Sequence, residues 1–260
     1  MRALPPAIRT WTTKHSVGIC GVGRFMKDWN LEPTDECPLC GMREDHLHVP
    51  RCPDPRAAAE WSHQVALLVV WLKTSGSSHT MIEAIQHLLK SIRQPNLPAH
   101  QSPSTSIQRA WESQSKIGSQ AFLEGRLSRL WIPVHQEYLA FIKSNRSARL
   151  WGSRLSQHLI HLGHNMWLHR NSVKQSDDSI GRQRLRRQVD SGILAEFEMG
   201  PAGLPANIKP KLPGTVDRVL RKPLDEKTTW LELVSRERRA QRRAIARQVR
   251  LMRNFFTPPS

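Results

Sequence analysis

The sequence predicts a mainly α-helical fold, with a small cysteine-bearing N-terminal unit followed by a helical, Arg-rich region. Three observations predict it. Apolar residues recur at helical spacing in successive stretches, and no set of alternating runs suggests a sheet. Three of the four cysteines fall between residues 37 and 52. The formal net charge is +17, and residues 1–60 hold as many acids as bases, so the whole excess lies after residue 60.

The cysteine run, CPLCGMREDHLHVPRC, reads Cys37-x2-Cys40-x7-His48-x3-Cys52. Three thiols and an imidazole at this spacing can surround one tetrahedral ion, and Cys3His is a common structural zinc set. Gly41 allows a tight turn after the second cysteine. Three residues separate His48 from Cys52, close to one helical turn. His46 is the rival fourth ligand. Four protein ligands leave no open position for a substrate water, so zinc here is expected to be structural. The alternative is a set of reduced, unconnected thiols. Cys20 stands apart and reads as a buried small hydrophobe.

The stretch from Trp11 to about Trp71 resembles the zinc-binding segment that follows the polymerase domain of non-LTR retrotransposon reverse transcriptases. The matching features are Trp11-x2-Lys14, the Gly-rich run Gly18–Gly23, Met26, Trp29, Cys-Pro-x-Cys-Gly, the acidic pair Glu44-Asp45, His48-Val49 and Cys52-Pro53. Downstream, Trp167-x-His169-Arg170-Asn171 resembles a Trp-x-x-Arg-Asn element of the same reading frames. The resemblance implies Cys37, Cys40, His48 and Cys52 as zinc ligands and a role in holding RNA or target DNA. It is to a tail region and does not include the polymerase.

The polymerase chemistry needs paired carboxylates for two metal ions. The chain's single Asp-Asp, Asp177-Asp178, lies in polar loop sequence. GxxxxGK[ST], GxGxxG, GxSxG and HExxH are absent. The expectation is a protein with no catalytic activity of its own. The longest apolar run, Val65 to Leu72, is far shorter than the roughly 20 residues of a membrane span. Met1-Arg-Ala-Leu-Pro-Pro lacks the pattern of a secretory signal, so an intracellular protein is expected.

The expected organisation has five parts: a zinc unit with two following helices over 1–93, a linker over 94–106, a helical domain over 107–199, a linker over 200–224 and a basic helix over 225–260. Asp54 as N-cap and Pro55 at N1 start the first long helix. A second helix runs from about His79 to Ile92. Gln94–Ser106 holds three prolines and four Ser or Thr residues, the strongest boundary signal. A helical region follows from Ile107 to Lys143, broken near Gly118 and at Pro133, and then a helix from Ala148 to His169. His158, His161, His164 and His169 on that helix read as packing and polar-face residues. His158 and His164 lie about 120° apart on the helix, which prevents all four from sharing one ion.

A basic helix is expected over Arg182–Glu198. It carries Arg182, Arg184, Arg186 and Arg187, with Leu185, Val189, Ile193, Leu194 and Phe197 as its buried face. The last helix opens at Thr229, with Glu232 completing a capping box. Its polar surface carries Arg236, Arg238, Arg239, Arg242, Arg243, Arg247, Arg250 and Arg253. Such clusters favour nucleic acid, RNA or DNA, as partner, and the last helix can also serve as a nuclear localisation signal. A Trp-rich docking surface for a protein partner is the second reading. An anionic membrane surface ranks last.

Overall fold

The computed structural model describes residues 4–32, 34–176, 179–206, 208 and 215–256. Asp177-Asp178 and the side chain of Arg253 lie outside the described residues. Among them, the secondary structure is helical, with a single isolated bridge between Glu36 and Arg43. The chain divides into two compact units, 1–180 and 181–260.

Unit 1 is built on two long helices, α4 (Pro55–Thr74) and α9 (Ala148–Gln175), which pack on each other. The Asp54 side chain accepts from the Arg56 amide, and Pro55 sits at N1, so α4 starts where the sequence predicts. Helix α5 (His79–Arg93) is capped by the Ser78 hydroxyl and buries Met81, Ile82, Ile85, Leu88, Leu89 and Ile92. Helices α6 (Thr105–Ile117) and α7 (Ser119–Leu123) close over this apolar face, and α8 (Trp131–Phe141) packs on α6 and α9. Near the N-terminus, α1 (Pro6–Ser16) lays Ile8 and Trp11 against Ile160 of α9.

Three expectations need correction in this unit. Segment 94–106 is not a gap between cores. Ile92 before it and Ile107 after it belong to one apolar cluster that runs from Cys20 to Met166. Pro133 does not break a helix. It occupies the first turn of α8, where its missing N–H has no intrahelical acceptor to lose. Helix α9 also continues past His169 to Gln175.

Its histidines are scattered by the packing. His158 packs tilted against Trp71, and His164 contacts both Trp11 and Trp167.

His135 is fully buried, with both ring nitrogens lacking a hydrogen-bond partner, and packs its ring 4.3 Å from Trp151. Burial, reinforced by the Arg146 charge, holds its pKa down at about 4. The unfolded chain takes up this proton near pH 6.5. The neutral ring therefore contributes stability that is complete above pH 6.5 and is lost as pH falls toward 4. The loss reaches about 3 kcal/mol. In His135→Phe the acid-side fall in Tm between pH 6.5 and 4.5 should be shallower than in wild type. Parallel curves would show that His135 does not titrate this way.

Unit 2 contains α10 (Ile180–Glu198), α11 (Asp217–Leu220) and α12 (Leu224–Phe256). Val189 and Ile193 pack with Val219 and Leu224, and Phe197 stacks on Trp230 at 5.6 Å. Leu204 and Ile208 cover Val234.

Helix α12 begins five residues before Thr229. The Lys227 amide bonds to the Pro223 carbonyl, and Asp225 and Glu226 occupy a first turn whose dipole favours acids. Thr229 is interior, its hydroxyl donating to the Asp225 carbonyl at 2.9 Å. Leu185 and Leu194 are exposed, at 43% and 45%. Leu194 lies about 100° round the helix from buried Ile193, and Glu196 takes the inward position instead.

Glu196 is drawn in by Arg238, which is buried and is not part of the polar surface expected for it. Arg238 Nε donates to Glu196 Oε2 at 2.7 Å and Nη2 donates to the Gly200 carbonyl at 2.8 Å. Ser235 bonds the other Glu196 oxygen at 2.8 Å. This pair ties α12 to the C-terminal end of α10.

Candidate metal centre

The Cys37–Cys40 turn is shaped by its backbone. Gly41 has φ +74°, its amide donates to the Cys37 carbonyl at 2.9 Å, and the Cys37 amide donates to the Met42 carbonyl at 2.7 Å. Both thiols are thereby turned to one side. On the other side, the Asp45 carboxylate accepts from the amides of Leu47 and His48, which starts the short helix α3 (His48–Arg51) with Cys52 at its end. His48 and Cys52 face back toward the turn.

The four donor atoms of Cys37, Cys40, His48 and Cys52 all lie within 4.8 Å of one another. Cys37 Sγ is 3.8 Å from Cys52 Sγ, and Cys40 Sγ is 3.2 Å from His48 Nε2. A disulfide needs about 2.05 Å, and all four cysteines are free thiols. A tetrahedron with bonds of about 2.3 Å has an edge of roughly 3.8 Å, so the sulfur separation fits a shared ion. His46 is excluded by direction: its ring faces Gly18 and stands 5.9 Å from His15.

The electrostatics point the same way. Hydrogen bonding to Cys52 and then burial push the Cys37 thiol well up, and burial pushes up Cys40. His48 is raised by its hydrogen bond to Cys37. Crowded buried thiols resist ionising because their negative charges have nothing to neutralise them. A bound cation supplies that charge and reverses the balance. Cys20, 2% exposed, is pushed up to about 11 by burial and is an inert core thiol.

The site is braced by distant elements. Arg93 at the end of α5 donates to the Pro50 and Cys52 carbonyls, both at 2.7 Å. Arg51 Nε returns a bond to the Ile92 carbonyl at 3.0 Å. Cys37, Leu39 and Cys52 pack with Ala57 of α4 and Val173 of α9.

Behind the turn, the fully buried Glu44 forms an ion pair with Arg170 of α9, Nε to Oε1 at 2.9 Å and Nη2 to Oε2. The Gly23 amide completes the carboxylate shell at 2.7 Å. A side chain at Gly23 would meet the Asp35 carbonyl at 2.6 Å, so only glycine lets the backbone come this close. Arg93 and the Glu44–Arg170 contact escaped sequence reading, although Glu44 and Arg170 each sit in one of the two motifs noted there.

Cys37 and Cys52 are each 1% exposed, while Cys40 and His48 are half-buried. Four donors can fill a tetrahedral shell, so the cluster can bind an ion and cross-link its segment.

The arginine clusters belong to unit 2. Arg184, Arg186 and Arg187 on α10 are exposed and Arg182 is half-buried, with Arg182, Arg184 and Arg186 each interacting with another group. Arg236 is exposed and pairs with Glu237 at 3.3 Å. On α12, Arg239, Arg242, Arg243, Arg247 and Arg250 are exposed, and so is every residue from Arg242 to Arg250, including Ile245 and Val249.

No family model matches the chain, and no curated protein or solved structure matches it.

Proposed function

We propose that the protein is a zinc-stabilised, non-catalytic nucleic-acid-binding protein, of the kind that forms the tail of non-LTR retrotransposon reverse transcriptases. The observation that carries this reading is the Cys3His cluster together with the arginine face of α12. Zinc suits the donor set, since thiolates and imidazole at tetrahedral spacing favour it over harder cations. Cys37, Cys40, His48 and Cys52 would hold it, and its chemistry there is cross-linking.

The arginine face has no acid after Glu237, so a phosphate backbone meets no repulsion along it. Arg offers bidentate contact to such phosphates. Among the described residues, no helix is long and apolar enough to cross a membrane. The rival reading, a Trp-rich docking surface, needs contiguous exposed tryptophans. Among the described residues, Trp29 alone is prominently exposed, at 49%.

Binding of single-stranded RNA and duplex DNA, followed across a salt series, tests the proposal. With six phosphate contacts on a single strand, affinity should fall by roughly two to three decades between about 50 and 200 mM salt. A flat response, or no binding to either polymer, would sink the nucleic-acid reading.

A further inference from the structure

A cavity of about 520 Å³ opens in unit 1 where the end of α4 meets the start of α9. Its wall includes Trp71, Asn145, Arg146, Ser147 and Arg154 and contains no carboxylate. The volume lies in the range of small-ligand sites, roughly 300–1,000 Å³. Arg146 is anchored by one bond, Nη1 to the Thr74 carbonyl at 2.9 Å, and passes over Gly76. That uses one of its five N–H donors. Arg154 is exposed, and among the described residues it has no hydrogen bond or ion pair. Two guanidinium groups thus share a concave site with no counter-charge.

The aromatic content is equally specific. Trp71 is half-buried, supported on one side by the His158 ring at 4.3 Å. Cations beside supported aromatic rings are the chemistry that grips a single strand, with phosphate on Arg and base on an aromatic face.

We propose that this cavity binds one nucleotide of a single-stranded nucleic acid, its phosphate held by Arg146 and Arg154 and its base stacked on Trp71. The proposal rests on the nucleic-acid reading above and assigns it a site in unit 1. A duplex does not fit, because its bases are already stacked and cannot enter without being unpaired.

The test uses the full metal-loaded chain and a labelled ten-residue oligouridylate. Arg154→Glu should weaken binding about tenfold or more and lower the salt slope by about one contact, with helix content and metal stoichiometry unchanged because Arg154 is exposed and unpartnered. Trp71→Leu should also weaken binding. With 5-iodouridine in the oligonucleotide, photocross-links should map to the peptide containing Trp71. Wild-type affinity in Arg154→Glu, with cross-links confined to other peptides, would overturn the cavity assignment and leave the nucleic-acid reading standing. Failure of the wild-type chain to bind the oligonucleotide at all would overturn this proposal, and duplex binding in the same assay would show whether the broader reading survives.

Discussion

Removal of the metal is expected to unfold the 35–53 segment and to lower the stability of unit 1 by several kcal/mol. Structural zinc contributes about 10–16 kcal/mol of apparent binding free energy in small metal-dependent peptides, which matches or exceeds the whole stability of an ordinary domain, about 5–15 kcal/mol. The segment has little else of its own: one isolated bridge, a four-residue helix and a small apolar cluster that includes the ligands themselves.

Elemental analysis should find one zinc per chain in wild type, none in Cys40→Ser, and one in Cys20→Ala, whose thiol lies in the apolar core instead. After chelation, hydrogen exchange should accelerate first at the Cys37, Gly41 and Glu44 amides, which bond within the turn, while α5 stays protected. A wild-type chain without metal, or one whose exchange pattern ignores the chelator, would mean that the three thiols and the imidazole lie together without holding an ion.

Breaking the Glu44–Arg170 pair carries the second large effect. The side chains are 0% and 4% exposed. Removing one partner strands the other charge away from water, at a cost of about 3–5 kcal/mol. For a unit of this size that is a fall in Tm of roughly 10 °C. Glu44→Gln and Arg170→Met should each show it, and the double variant should lose much less than the two losses combined, because no buried charge remains uncompensated.

Metal affinity should drop as well. Glu44 holds the turn through its amide to the Asp35 carbonyl, and its own carbonyl accepts from Arg24. Strict additivity in the double variant would mean that the two groups do not act as a pair.

These features differ in how far the sequence reveals them, and the difference follows chain distance. Cys37, Cys40, His48 and Cys52 were legible because ligation needs donors at short, fixed spacing. The start of α4 was legible because Asp54 and Pro55 act on their own neighbours. The Pro- and Ser-rich segment 94–106 reports only that the chain turns there. It does not say that Ile92 and Ile107 enter one core.

Thr229 and Glu232 match a helix-start pattern, yet Pro223 had already set the first turn. Arg238 looks like its surface neighbours until the α10 end brings Glu196 and the Gly200 carbonyl to it. The partner of Glu44 stands 126 residues away, beyond the reach of any local pattern.

That separation sets a schedule for the growing chain. At about 5–20 residues per second, Arg170 leaves the ribosome roughly 6–25 seconds after Glu44. The four ligands emerge together long before it. The ion can therefore seize its loop while the Glu44 carboxylate still faces water, and only the last turns of α9 seal that carboxylate from solvent. A nascent chain halted before residue 170 should already hold its metal, yet exchange it with free chelator far faster than the finished protein does.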